Sequence, residues 1–391
     1  MLVRRGHAVT VVTGTPNYPD GSVFPEFAAG PTAFGYLDGV EIVRVPLRSR
    51  RRGGLNLALN YLSFAVSATV FGAWRLRGRC FDAVFVFQTS PATVGLPAAW
   101  LAKVKRAPML FWVLDCWPES LVGVGAVRPK SAVGRATLWL VGVMMRFIYS
   151  RSTLILGQSR SFATSVARYG DVARFRYFPN WVEATHAFVE RSTPASDGPV
   201  FTVMFAGNIG VAQDFPAIID AVEDLRSSPV RWLIVGDGRE AEAVRSAIVA
   251  RGLESNFQML GRYPSDAMPA LFAKADALLV SLRNDPLFAM TVPGKLQSYL
   301  AAGKPVLAML DGEGADTVIA AGAGLVSPAG DGKALAGQVR VMMGLMPFER
   351  AAMALAGQEF AATHYNSDRV IDQLEVWLHD SVTSSFRRKG N

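Results

Sequence analysis

Val200-Phe201-Thr202-Val203-Met204-Phe205-Ala206-Gly207-Asn208-Ile209-Gly210 is the stretch that decides the fold. A β-favouring run ends in a glycine turn, and an amphipathic helical pattern is expected from Phe215. A strand with no sustained alternation of polar and apolar residues is one covered on both faces, which belongs to a parallel sheet with crossover helices. The same unit repeats outward. Strands are expected at Arg231–Val235, Phe257–Leu260, Ala277–Ser281 and Val306–Met309 downstream. Upstream they are expected at Ala8–Thr13, Glu41–Val45, Ala83–Phe87, Met109–Leu114 and Thr153–Leu156. The class is α/β.

A chain of 391 residues exceeds what one core supports, so two domains are expected. The turn-forming run Ser192-Thr-Pro-Ala-Ser-Asp-Gly-Pro199 separates them, giving domains at 1–190 and 198–364. An amphipathic helix at about 365–380 is expected to pack back on the first domain. Met1 to Arg5 read as the end of a helix, so the strand and glycine turn that open a doubly wound domain are missing from the reading.

Cys80 and Cys116 have neither disulfide nor metal-site spacing, and a reducing cytosol fits them. Met1 leads into Arg4 and Arg5 rather than into the apolar core of a signal peptide. The net charge of +8 and pI near 9.6 leave nucleic acid, anionic lipid and anionic small substrate open until position is considered. Arg48, Arg50, Arg51 and Arg52 precede the apolar stretch Leu55–Trp74, and Arg75, Arg77 and Arg79 follow it; Arg387, Arg388 and Lys389 form a third cluster. This pattern suits a membrane surface and not nucleic-acid readout, placing the protein in the cytoplasm, peripheral to the inner membrane. The stretch is long enough to span a bilayer. Asn56, Asn60, Ser63 and Ser67 recur at helical spacing, however, and give it the weakly polar face of a helix lying on a sheet or a lipid surface.

Three motifs carry chemistry. In Gly207-Asn208-Ile209-Gly210, glycines let backbone N–H groups approach a phosphate at a helix start. Val235-Gly236-Asp237-Gly238 and Gly261-Arg262-Tyr263-Pro264 close the next two strands, where ligands gather in open α/β sheets. Asp237 reads as a turn or cap residue as readily as a ligand contact. Arg262 offers its backbone to a base or its side chain to solvent. The third motif, Pro293-Gly294-Lys295, opens a helix that stops at Gly303; free N–H groups and a lysine there suit a diphosphate.

Together these motifs, with Arg5-Gly-His-Ala-Val-Thr-Val-Val-Thr-Gly14, Pro16-Asn17-Tyr18-Pro19, Asp115-Cys-Trp-Pro-Glu119 and Pro179-Asn-Trp-Val182, resemble family 4 glycosyltransferases, in the branch that includes L-fucosamine transferases of bacterial surface-polysaccharide synthesis. The resemblance implies a GT-B fold, two Rossmann-like domains facing across a cleft, with the donor on the second and the acceptor on the first. It implies a retaining, metal-independent hexosyltransferase moving a sugar from a nucleotide-sugar, with UDP as the nucleotide, to a lipid-linked glycan acceptor at the inner face of the cytoplasmic membrane. No cofactor is expected.

Carried over by residue, Gly207, Asn208, Gly210 and Lys295 would hold the diphosphate, with Gln213 at the donor site nearby, where relatives often carry a lysine. Asp237, Gly238, Arg262, Pro293 and Gly294 would border the donor. Lys295 and the helix N-termini would stabilise the leaving phosphate, which itself would act as base. Many relatives carry a glutamate pair where this chain has Met290 and Ser298. Ser298 would bond a ribose hydroxyl, and Thr291 is expected to take up contact with the sugar. On the first domain, Asp115 would orient or deprotonate the acceptor hydroxyl, or cap the following turn. Asn17, Tyr18 and Glu119 would bind acceptor, and Trp117 and Trp181 would stack on sugars or sit in the core. His7 reads as structural, and His186 has no assigned role. Two rivals stand against this reading: a nucleotide-sugar epimerase of the same fold, which needs more carboxylates and histidines, and a membrane-associated assembly protein with a decayed site. An NAD oxidoreductase lacks its Gly-x-Gly-x-x-Gly fingerprint.

Overall fold

A computed structural model describes residues 1–17, 21, 23, 27, 35–49, 53–123, 125–182 and 200–390, with side chains to residue 385. Tyr18, Arg50, Arg51, Arg52 and His186 lie outside the described residues, as does the turn-forming run 192–199. The chain forms two compact units. The first comprises Met1–Gln158, Phe162–Phe178 and Ile371–Asn391, and the second Ser159–Ser161 and Pro179–Val370.

In the second unit β8 (Phe201–Ala206), β9 (Val230–Val235), β10 (Phe257–Gly261), β11 (Ala277–Ser281), β12 (Val306–Met309) and β13 (Gly324–Ser327) form one parallel sheet in the order β10-β9-β8-β11-β12-β13. β8 is buried throughout. Its alternate residues Val203 and Phe205 enter one core, and Met204 and Ala206 the other, which is why its sequence shows no polar face. The chain runs outward from β8 through β10 and then returns to the other side of β8 at β11. That reversal puts a crevice at the carboxyl ends of β8 and β11.

In the first unit β1 (Thr10–Gly14), β2 (Tyr36–Leu37) and β3 (Val40–Val45) form a three-stranded sheet in the order β1-β3-β2. Next come β4 (Val84–Gln88), β5 (Met109–Val113), β6 (Leu154–Gly157) and β7 (Phe175–Tyr177), a parallel four-stranded sheet. The expected doubly wound sheet is thus divided, and β1 and β4 each leave one edge without a strand partner among the described residues. Val12 of β1 and Leu101 share one apolar cluster, so the two sheets lean on common helices.

Helix α1 (Gly54–Ser67) continues through a wide turn at Ala68–Gly72 to Arg75. It is followed by α2 (Gly95–Lys105), α3 (Glu119–Gly123), α4 (Ala132–Arg151) and α5 (Phe162–Tyr169). α1 packs beside α2, α2 beside α4, and α4 beside α5. The rotation of α1, which its polar stripe left open, is set by the loop before it. Asn60 and Ser67 are buried, and the Asn60 amide donates to the Arg48 carbonyl, whereas Val66, Val70 and Phe71 are exposed. The polar stripe faces inward because Arg48, in the loop before the helix, needs partners. The Ser63 hydroxyl accepts its N–H at 3.0 Å.

The second unit's helices are α6 (Phe215–Asp224), α7 (Ala241–Ala250), α8 (Met268–Phe272), α9 (Pro286–Ala289), α10 (Gly294–Ala301), α11 (Glu313–Ala320), α12 (Gly332–Gly344) and α13 (Pro347–His364). The last helix, α14 (Ser367–Gly390), belongs to the first unit from Ile371 onward. There Trp377 meets the ring of Phe178, and Glu375 receives Arg5 at 2.5 Å and His7 at 2.6 Å. His7 is therefore a structural tie.

Candidate functional site

The crevice after β8 holds a cavity of about 460 Å³, lined by Gly207, Asn208, Asp237, Arg262, Lys295 and Ser298 among others. Two glycine loops make its floor. The Gly207 N–H donates to the Val235 carbonyl at 2.9 Å, and the Ile209 N–H to the Asp237 carbonyl at 2.9 Å. A Cβ on Gly236, whose φ is +129°, would stand 1.9 Å from the Gly207 carbonyl oxygen, and one on Gly238 would stand 2.1 Å from that of Ile209. Only bare backbone lets the loops approach this closely.

Lys295 enters from the first turn of α10, whose N-cap is Pro293. Its stem is partly exposed, but its Nζ is out of solvent and has no hydrogen-bond partner. The Nζ lies 3.6 Å from the centre of the Phe205 ring and would be 2.9 Å from a Cβ on Gly207. Burial without an anionic partner pulls its pKa down from the ordinary lysine range to about 7. The α10 helix is fixed against β8 by Tyr299, whose hydroxyl accepts the Ala206 N–H at 2.8 Å and donates to the Ala206 carbonyl at 3.0 Å. A buried cation at a helix N-terminus between two glycine loops is a site for an anion the size of a diphosphate.

Gly210, Gln213 and Thr291 stand apart from the cavity wall. Gly210 and Gln213 bond each other, the Gly210 N–H donating to Gln213 Oε1 at 3.1 Å, and the Gln213 carbonyl accepts the Ser281 hydroxyl at 2.7 Å. Gln213 therefore shapes the turn. The Thr291 hydroxyl turns back to the Leu287 carbonyl at 3.0 Å. Asp237 accepts the Gly238 N–H at 2.8 Å and lies 3.3 Å from Arg262 Nε, with both side chains substantially exposed. Tyr263, Met268 and Phe272 also line the cavity. A wider depression elsewhere on this unit is bordered by Asp220, Glu223, Asp224 and Asp331, the wrong sign for a phosphate.

In the first unit, polar groups gather where β4 and β5 end. Asp115 accepts the Trp117 indole N–H at 3.2 Å and the Ser120 hydroxyl. Burial raises its pKa despite these bonds and another from Ser90. The buried Gln88 donates to the Thr89 carbonyl at 2.8 Å and leaves its Oε1 unpartnered. Glu119 meets Arg168 at 3.2 Å through one oxygen, while the other is buried and unpartnered. Trp117 is 7% exposed and belongs to the core, with its indole edge on Asp115. Trp181 falls in the second unit rather than on the first. The Asn17 carbonyl accepts the Gly21 N–H at 2.7 Å. Tyr18 lies outside the described residues. Sequence reasoning missed Gln88, since a glutamine ending a strand gives no signal until its burial is seen. Among the described residues no three of His, Cys, Asp or Glu come together as metal ligands.

Residues 1–181 match the family model of the glycosyl transferase 4-like domain, and residues 200–344 that of glycosyl transferases group 1. The chain is 30% identical to 2-deoxystreptamine N-acetyl-D-glucosaminyltransferase of Streptomyces fradiae, over 76% of this chain and 70% of that protein. It is 27% identical to the putative colanic acid biosynthesis glycosyl transferase WcaI of Escherichia coli K12, over 77% and 75%. Its fold resembles that of Anabaena Alr3699/HepE, solved in complex with UDP and glucose. The TM-score is 0.67 at 14% identity, covering 95% of this chain and all of that one.

Proposed function

Because the chain belongs to the glycosyltransferases of the group 1 and 4-like family, with a GT-B fold and a nucleotide-sugar donor, we propose that it is a retaining enzyme. It moves a hexosyl group from a UDP-sugar to a lipid-linked glycan acceptor at the inner face of the cytoplasmic membrane, in the assembly of an O-antigen, capsule or exopolysaccharide.

The observation that carries the reading is the unpartnered Nζ of Lys295 among the glycine loops. A donor diphosphate would give this ammonium its missing partner. The same charge, with the N-terminus of α10, would stabilise the phosphate as the glycosidic bond breaks. Neutralisation is assigned to these protein groups and not to a metal. The released phosphate oxygen would accept the acceptor proton on the face the sugar leaves, which retains anomeric configuration. Arg262 and Tyr263 border the cavity where a base would lie, and Ser298 where a ribose would lie. Asp115 is assigned to orient the acceptor hydroxyl. UDP is favoured because it is the nucleotide bound by the similar fold, and the surface-polysaccharide role because a relative is named for colanic acid biosynthesis.

Thermal unfolding against UDP, GDP, dTDP, CMP and NAD tests the donor half. A nucleotide at about 100 times its Kd should add roughly 2.7 kcal/mol. UDP is expected to stabilise the wild type and to lose that effect in Lys295→Met. No shift with any nucleotide, or an undiminished shift in the variant, would overturn the assignment. Proton NMR of the transfer product is expected to show the donor's anomeric configuration.

A further inference from the structure

We infer that α1, α2 and α4 form a single bilayer-docking face selective for anionic phospholipid, which rests on the reading above that the acceptor is membrane-attached. α2 lies against both α1 and α4. On their outer side Val66 and Trp74 of α1, Trp100 of α2, and Trp139, Leu140 and Phe147 of α4 are exposed, Trp139 at 68% and Trp74 at 56%. Soluble surfaces scatter such residues singly; here they recur on three adjacent helices. α1 is inverted relative to a soluble amphipathic helix, its asparagine and serines turned inward and its apolar side outward.

Charge identifies the occupant. Residues 54–75, 95–105 and 132–151 contain no aspartate or glutamate and six basic residues: Arg75, Lys103, Lys105, Arg135, Arg146 and Arg151. A second copy docked on this face would bring arginine to arginine with no carboxylate to pair them. Phosphate headgroups supply the missing anions, and tryptophans beside arginines suit the boundary between headgroup and acyl chain. Arg77 lies over the Trp74 ring at 5.1 Å, and Arg151 over Phe147 at 5.5 Å, pairing cation and aromatic in that manner.

The helices lie on the bilayer and do not cross it. Gly54–Arg75 and Ala132–Arg151 are long and apolar enough to span. Both, however, are held along their other side, α1 through Asn60, Ala65, Ser67 and Gly72, and α4 through Gly142, Met145, Ile148 and Tyr149. Spanning would strip them from the unit they cover, and would bury Arg135 and Arg146 in hydrocarbon.

Co-sedimentation of the full chain with vesicles of phosphatidylcholine alone, and of phosphatidylcholine mixed with phosphatidylglycerol, tests this. Binding is expected with the mixed vesicles and to be at least tenfold weaker without phosphatidylglycerol, because each of several arginines near the surface contributes about fivefold. Trp139→Ser/Leu140→Ser should weaken binding at least about tenfold, and Arg135→Gln/Arg146→Gln by a comparable factor, while both keep the UDP-induced thermal shift. Tryptophan fluorescence of the unaltered protein should be quenched by brominated phospholipid. Absence of vesicle binding, equal binding to both vesicle types, wild-type binding by the serine variant, or a dimer that the same serines abolish would each overturn the inference. Loss of the UDP shift in the wild type would instead strike the glycosyltransferase reading.

Discussion

Lys295 is poised near neutrality because burial opposes its charge and nothing in its surroundings returns the favour. A bound diphosphate supplies that return and raises the pKa, so binding takes up a proton above about pH 7. UDP affinity measured by titration calorimetry is therefore expected to fall about tenfold per unit between roughly pH 7.5 and 9. Stability without ligand follows the opposite sign. With the folded pKa below the unfolded one, the unfolded chain holds more protons, so stability rises as pH climbs from about 7 toward the ordinary lysine value. Lys295→Met should remove that rise and melt higher at neutral pH, by about 2–4 °C for each kcal/mol recovered. At Gly236 the added methyl of Gly236→Ala meets the Gly207 carbonyl at a φ reserved for glycine. A cost of about 3 kcal/mol or more, with loss of UDP stabilisation, is expected from thermal melts. Asp115→Asn should keep the UDP shift and lose about 100-fold to 10,000-fold in transfer rate. The glycine loops and Lys295 were legible in the sequence, since local turn and helix-start chemistry signals them. The burial of Lys295 against Phe205 was not, nor was the clamp of Tyr299 on Ala206, 93 residues away, because both depend on which strand faces α10.

Among the elements, strands carried their own signature wherever both faces are covered. β5, β8, β11 and β12 are buried along their whole length; β5 and β12 read as unbroken apolar runs, and β8 and β11 carry one hydroxyl residue each, Thr202 and Ser281. β2, with two residues, and β7, with Arg176 at its centre, are too short or too polar to show a period, and the four residues of β13 sit in an alanine- and glycine-rich tract. The helix of residues 54–75 was legible as a helix with a polar stripe, but not in its rotation, because a stripe does not say which side the loop before it will claim. That side is fixed by the Asn60 and Ser63 bonds to Arg48. Asn60→Leu should lower stability by about 1–3 kcal/mol in denaturant melts, leaving the Arg48 carbonyl without its donor. Helix α14 is tied by Glu375 to His7 and Arg5, which hold its carboxylate pKa below the usual value. Its contribution is thus present above the ordinary glutamate range and lost as pH falls through the lowered pKa. Glu375→Gln should melt below the wild type at neutral pH, and the two curves should converge in acid.

For the whole molecule, a candidate donor cavity between the glycine loops of the second unit predicts a spatially restricted response to nucleotide. Hydrogen exchange with and without UDP should show protection at 206–208, 235–237, 262–263 and 295–299, the segments that border the cavity. Equal protection across the first unit would argue against a donor site confined to the second. The boundary expected near residue 190 falls outside the described residues, and the two units divide at Phe178 and Pro179; the return of the chain at Ile371 rests on the ring of Trp377 against Phe178 and on the Glu375 ties, which no local pattern announces. That return bears on the order of assembly during synthesis. All of the second unit's sheet and most of its helices leave the ribosome before α14 does, while the first unit, begun earlier, still lacks the helix that its residues Arg5 and His7 grip. The half of the enzyme encoded second is thus the half whose fold can close first, while Arg5, His7 and Phe178 of the earlier half wait for the helix that carries Glu375 and Trp377.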